Sequence, residues 1–129
     1  MLDADGWLRS GDLGHLDADG NLVLAGRVGD MYIRGGYNVY PLEVENVLAE
    51  HPGVDQVAVV GAPAEVIGEI GVAFVVAAAG TAGPTLEELR AWSKARLADY
   101  KAPDRLELVD ALPLTSMMKV DKLALRARL

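Results

Sequence analysis

The spacing of apolar positions changes several times along this chain, and each change marks an element. Leu13 to Asp17 and Leu22 to Gly26 are short apolar segments flanking Asp17-Ala18-Asp19-Gly20-Asn21, a turn composition in which Gly or Asn takes positive φ; together they predict a β-hairpin. Met31 to Arg34 and Tyr37 to Tyr40 read as strands around Gly35-Gly36, and Pro41 follows where the first turn of a helix tolerates it. From Pro41 to about Glu50 the spacing predicts an amphipathic helix with Val44, Val47 and Leu48 on its buried face and Glu43, Glu45 and Glu50 largely toward water. His51-Pro52-Gly53 ends it.

Val54 to Val60 and Ile70 to Ala78 are β-branched or small apolar runs without strict alternation, the pattern of strands covered on both faces, and a loop containing Gly61-Ala62-Pro63 is expected between them. Thr85-Leu86-Glu87-Glu88 is a capping-box sequence, after which Leu86, Leu89, Trp92 and Leu97 recur at helical spacing, so Trp92 is assigned to the core. Beyond Pro103 the pattern predicts a strand over Leu106 to Val109, a loop over Leu112 to Met118 and a last helix over Lys122 to Leu129. Strands and helices mix without regular βαβ alternation. The predicted class is therefore α+β, with an N-terminal β-hairpin segment followed by a small domain whose mixed sheet is covered by helices.

The 129 residues, 51% apolar, suffice for one buried core. The longest apolar run, Ile70 to Ala79, is far too short for a bilayer and the N-terminus carries acids where a signal peptide wants Lys or Arg, so a cytoplasmic protein without a membrane span is expected. There is no cysteine, which excludes disulfides, thiolate zinc and a cysteine nucleophile, and His15 and His51 are too far apart in sequence to suggest a metal site. Alternating aspartates before Gly20 suggest a calcium loop, but the bidentate acid such a loop needs would fall at Val28; no metal is expected. A net charge of −7 disfavours nucleic acid as a partner. The charge is uneven: from Arg90 onward nine basic residues face five acids, a local +4 that suits either a small polyanion or solvated helix faces.

Three separated motifs carry candidate chemistry: Trp7-Leu8-Arg9-Ser10-Gly11-Asp12-Leu13; Gly26-Arg27-Val28-Gly29-Asp30 with Gly35-Gly36-Tyr37-Asn38-Val39-Tyr40-Pro41-Leu42-Glu43-Val44-Glu45; and Pro113 leading to Lys119-Val120-Asp121-Lys122. In this order, with Val57-Ala58-Val59-Val60-Gly61 and Leu97-Ala98-Asp99-Tyr100-Lys101 between them, they make the whole chain resemble the adenylate-forming superfamily, and its acyl-CoA synthetase branch in particular. The first resembles that family's Arg-Thr-Gly-Asp motif with Ser10 keeping a hydroxyl, and the third its terminal lysine motif.

The resemblance implies roles for which the side chains are chemically suited. Asp12 matches the residue gripping the nucleotide ribose, since one carboxylate accepts from two neighbouring hydroxyls; in isolation it also fits a turn aspartate. Arg27, whose planar fork suits ribose or phosphate oxygens, matches a residue beside the AMP or ATP near the domain junction; an ordinary surface arginine is the plainer alternative. Lys119 is the catalytic candidate: joining a carboxylate to the α-phosphate of ATP concentrates negative charge, which an ammonium on a flexible stem can neutralise, although a solvent-facing loop lysine has the same sequence. Met118 departs from the family's usual glycine before that lysine, and a displaced or stiffer loop is expected. Gly29 falls at the hinge position, where a turn glycine is the alternative. Gly35 and Gly36 match the loop lining the pantetheine channel, and Tyr100, with Lys101 beside it, falls near a position that stacks on the CoA adenine in some relatives.

The resemblance implies that residues 1 to about 28 end a large N-terminal adenylating domain and that 29 to 129 form the mobile C-terminal domain. The phosphate-binding loop and acyl pocket would belong to that large domain, the chief partner, so the chain alone is expected to be inactive. Substrates would be ATP, CoA and a carboxylic acid, fatty or aryl by branch, with Mg²⁺ accompanying ATP through ligands outside this sequence. Two other readings stay open: an adenylation domain loading a carrier protein, and a noncatalytic binding module of the same descent.

Overall fold

Residues 2–129 are described by a computed structural model in which seven strands form two sheets and three α-helices accompany them. The expected hairpin consists of β1 (Asp12–Leu16) and β2 (Leu22–Arg27), antiparallel, with an irregularity between Leu13 and Gly14. Its turn is organised by Asp17, whose Oδ1 accepts from the backbone N–H groups of Asp19 and Asn21, each at 2.9 Å. The Asn21 bond foremost holds this carboxyl below its ordinary value.

The second sheet has the order β4 (Tyr37–Val39), β3 (Tyr32–Arg34), β6 (Gly68–Ala77), β5 (Val54–Ala64), with β7 (Arg105–Leu108) joined parallel to β6. Every other pairing is antiparallel, so the sheet is mixed, as expected. Alternation in β5 and β6 sends Val59, Ala73 and Val75 to one face, packed with Val44 and Leu48 of α1 (Pro41–Leu48) and Leu89 of α2 (Leu86–Lys94). Ala58, Val60, Val72 and Phe74 turn to the other face, under Leu112 and Leu125, the latter from α3 (Lys122–Arg126). Thr85 caps α2 as its sequence demands, accepting from the Glu88 N–H at 3.1 Å. Trp92 is only half buried, and its Nε1 donates to the Val47 carbonyl at 2.8 Å, tying α2 to α1.

Three expectations need correction. The Gly61-Ala62-Pro63 segment is strand, not loop: β5 runs on to Ala64, and the reversal occurs over residues 65–67 before Gly68 at φ +89°. Gly61 and Gly71 face each other in register, and their missing side chains admit the Tyr32 ring; a Cβ at Gly61 would lie 2.5 Å from Tyr32 Cβ, and one at Gly71 would overlap the Tyr32 hydroxyl. These glycines make room for packing. Next, α2 stops at Lys94 and α3 at Arg126, both earlier than the apolar spacing suggests, although Leu97 still packs on the core. Glu45, finally, does not face water: its side chain is 17% exposed and its Oε2 has two partners, as described below.

Candidate active site

The segment bearing Lys119 is a tight hairpin. Leu114 and Val120 form an antiparallel bridge, and Asp121 N–H donates to the Pro113 carbonyl at 2.8 Å. Thr115 N–H donates to the Lys119 carbonyl, Met118 N–H donates to the Thr115 carbonyl at 2.9 Å, and Thr115 Oγ1 accepts from the N–H groups of Met117 and Lys119, each at 3.3 Å. Such a loop, a turn followed by one left-handed residue, ordinarily takes glycine at the left-handed place. Here Met118 occupies it at φ 63°, the one non-glycine residue with positive φ among those described. The loop thus keeps the backbone a glycine would adopt, and the methionine bears the strain, of about 1–2 kcal/mol.

Lys119 has no ion pair among the described residues and lines a cleft of about 460 Å³. Arg27, Gly11, Gly29 and Asp30 line the same cleft from the hairpin side, with Lys122 and Arg126 on the α3 side. The end of β2 and the lysine hairpin, distant in sequence, therefore meet. Arg27 Nε lies 3.3 Å from Asp12 Oδ1, its Nη2 donates to the Ser10 carbonyl at 3.3 Å, and Val28 N–H donates to the Gly11 carbonyl at 2.9 Å. Ser10-Gly11-Asp12 and Arg27 are thereby held side by side at the open end of the hairpin. Both side chains of the pair are about half exposed (57% and 44%), so the contact itself contributes little and leaves hydrogen-bonding capacity at Asp12 and Arg27 for an incoming polar ligand.

Gly29 lies in a single 3₁₀ turn, Val28–Asp30, which joins the hairpin to the second sheet. No atom lies within 4 Å of where its Cβ would be, and its φ is not left-handed. Gly35 and Gly36 form the β3–β4 turn at φ +56° and +87°, the pair of positive angles that such a two-residue turn requires. A Cβ at either position would meet nothing within 4 Å, so the turn surface is open. Next to it Tyr37 stacks on Tyr100, ring centroids 4.6 Å apart, while Lys101 Nζ lies 2.9 Å from both Glu43 oxygens, so that its charge is already matched. Gly35, Gly36 and Tyr100 thus form a second group, outside the cleft that holds Lys119 and Arg27.

Residues that no sequence pattern singled out brace the sheet beside the second group. Arg34 grips Asp104 with Nε to Oδ2 at 2.9 Å and Nη2 to Oδ1 at 2.8 Å, Gly71 N–H donates to the same carboxylate at 3.1 Å, and Arg90 donates to the Pro103 carbonyl at 2.7 Å. The Asp104 hydrogen bonds push the Arg34 guanidinium pKa up. Beneath them Tyr32 is buried with its hydroxyl unpartnered, and burial, reinforced by Asp104, pushes that phenol above its ordinary range.

Residues 43–119 match the family described as the AMP-binding enzyme C-terminal domain. The chain belongs to that family. Members similar to it include a medium/long-chain-fatty-acid–CoA ligase of Mycobacterium tuberculosis, 49% identical over 96% of this chain and 23% of the relative. A fatty acid–acyl-carrier-protein ligase of Streptomyces coeruleorubidus is 44% identical over 96% of this chain and 24% of its own. Among solved structures, the amide bond synthetase McbA of Marinactinospora thermotolerans superposes with a TM-score of 0.92 at 44% identity, covering 98% of this chain and 26% of that one. The chain spans about a quarter of the length of these relatives, and within this AMP-binding C-terminal domain no described helix is long and apolar enough to cross a membrane.

Proposed function

We propose that the chain is the C-terminal portion of an ATP-dependent acyl-CoA synthetase. The reaction joins a carboxylic acid to ATP as an acyl-adenylate with release of pyrophosphate, then transfers the acyl group to the CoA thiol with release of AMP. The observation carrying this reading is the shared cleft, in which an unpaired Lys119 faces Arg27 and the Gly11 end of the hairpin. Asp12 holds the ribose hydroxyls, Arg27 the nucleotide beside them, and Lys119 neutralises the charge that accumulates as acid oxygen meets α-phosphorus. Lys119 need not move a proton.

In this reading residues 1–28 close a large N-terminal domain supplying the triphosphate loop and the acyl pocket, and residues 29–129 swing about Gly29 after adenylation. The swing withdraws Lys119 and brings the Gly35-Gly36 turn to the thiol with Tyr100 near CoA, and the basic surplus after Arg90 helps attract the CoA phosphates. Mg²⁺ travels with ATP and none of these residues is assigned to it. The fragment by itself does not turn over, and the enzyme works in the cytoplasm on fatty or aryl acids. A second reading keeps the first half-reaction and changes the acceptor to a carrier protein, which the acyl-carrier-protein ligase among the relatives favours. Pyrophosphate exchange by the complete polypeptide over a panel of acids, followed by CoA or phosphopantetheinylated carrier as acceptor, tests both. Exchange with no acid at all would overturn the reading.

A further inference from the structure

Strand β5 is an edge of the second sheet, bonded to β6 on one side only. An edge strand leaves backbone N–H and C=O groups that must be satisfied from elsewhere. At Val59, which is fully buried, two side chains do this. Glu45 Oε2, from α1, accepts from the Val59 N–H at 2.8 Å, and Lys122 Nζ, the first residue of α3, donates to the Val59 carbonyl at 2.9 Å. Lys122 Nζ and Glu45 Oε2 are themselves 2.6 Å apart, with both side chains less than a fifth exposed. The ion pair takes the place of a neighbouring strand: its carboxylate acts as the missing acceptor and its ammonium as the missing donor. Because this contact is largely withdrawn from water and supplies hydrogen bonds as well as charge, losing one member leaves the other partly buried and unmatched.

The position of the pair gives it a consequence beyond stability. Lys122 follows Asp121, whose N–H closes the base of the lysine hairpin on the Pro113 carbonyl and whose Oδ1 caps α3 through the Ala124 N–H at 3.0 Å. The other hydrogen bonds of the hairpin run within it, through Thr115 and the Leu114–Val120 bridge, while Val120 packs at its base against the core beside Leu112. We propose that the Glu45–Lys122 pair at Val59 is a positioning device that fixes the base of the lysine hairpin against the sheet and so sets where the Lys119 ammonium stands in the cleft. Lys122 and Glu45 do not touch the reacting atoms; they act through Lys119. The kinetic part of this inference rests on the acyl-adenylate reading above, whereas its structural part does not.

The test therefore has two readouts on the complete polypeptide. Hydrogen exchange of Lys122→Met is expected to speed the amides of Val59, Thr115, Met118 and Asp121 by about tenfold or more while leaving Val72 and Val75 in β6 unchanged, as local opening does. In the half-reactions, the same variant is expected to lose at least about tenfold in adenylation, since a small misplacement of a charge-stabilising group costs that much, and to keep thioester formation from supplied acyl-adenylate within about twofold. Lys122→Arg, which retains a donor and a charge, restores both readouts. The exchange of partners, Glu45→Lys with Lys122→Glu, does not, because it sets a cation on the Val59 N–H and a carboxylate on its carbonyl. If Lys122→Met fails to fold, Glu45→Gln carries the same comparison in milder form, keeping an acceptor for the N–H. Unchanged exchange over residues 113–121, or equal losses in the two half-reactions, would overturn the proposal. A wild-type enzyme that activates no acid would overturn the acyl-adenylate reading instead, with the exchange result still deciding this one.

Discussion

Arg27 and Asp12 face each other across the open end of the N-terminal hairpin, Nε to Oδ1 at 3.3 Å, with both side chains in reach of solvent. So exposed a pair contributes under about 1 kcal/mol to the fold, and under the proposed function it holds two polar groups ready for one ligand. Asp12→Asn in the complete polypeptide is therefore expected to raise the KM for ATP about tenfold, the cost of weakened charge-assisted hydrogen bonds to ribose, while shifting the thermal midpoint by no more than a degree or two. A large loss of stability with unchanged KM would make the aspartate structural only.

Met118 supplies a test of strain. At φ 63° a side chain pays where glycine does not, so Met118→Gly is expected to stabilise the chain by about 1 kcal/mol, the left-handed penalty less the extra freedom of an unfolded glycine. Chemical denaturation of the two proteins measures it. Destabilisation would mean that the hairpin is not held in the left-handed conformation.

Tyr32 gives a pH-dependent prediction. Its phenol is raised by burial, so the neutral form stabilises the fold fully below the ordinary value of 10.0, and that contribution is lost as pH rises beyond it. Wild type should therefore lose stability above about pH 10 more steeply than Tyr32→Phe, the sign expected of an acid whose folded pKa is raised. Near neutrality the same variant should be neutral to about 1 kcal/mol more stable, because the hydroxyl has no hydrogen-bond partner to lose. Melting temperatures across pH 7 to 11 decide, and marked destabilisation at pH 7 would reveal a bond to the hydroxyl.

Gly29 sits in open space within the turn joining the two sheets. Gly29→Pro narrows φ there and disfavours the helical conformation of Val28 before it, and if the turn is a hinge the variant slows thioester formation by about tenfold or more while adenylation stays within about threefold. An unchanged second step would remove the hinge assignment.

What was legible in the sequence was local. Asp17 and Thr85 announce a turn and a helix start because their side chains bond backbone groups two to four residues away, and both do so here. Gly61 and Pro63 were misleading because they punctuate most chains, whereas here Gly61 answers to the Tyr32 ring, from another strand. Glu45 misleads for a similar reason: helical spacing points it toward water, but Val59 on an edge strand and Lys122 far along the chain claim its carboxylate. The motif residues could be picked out by type and order. Their division into two groups, Arg27 with Lys119 and Gly35-Gly36 with Tyr100, follows from tertiary packing that no periodicity records.

The central claim is that Lys119 acts on one half-reaction. Lys119→Ala in the complete polypeptide, assayed by pyrophosphate exchange and separately by thioester formation from supplied acyl-adenylate, is expected to lose at least about a hundredfold in the first, the scale of removing one charge-stabilising group, and less than about threefold in the second. Equal losses in both steps, or full activity in the first, would contradict it.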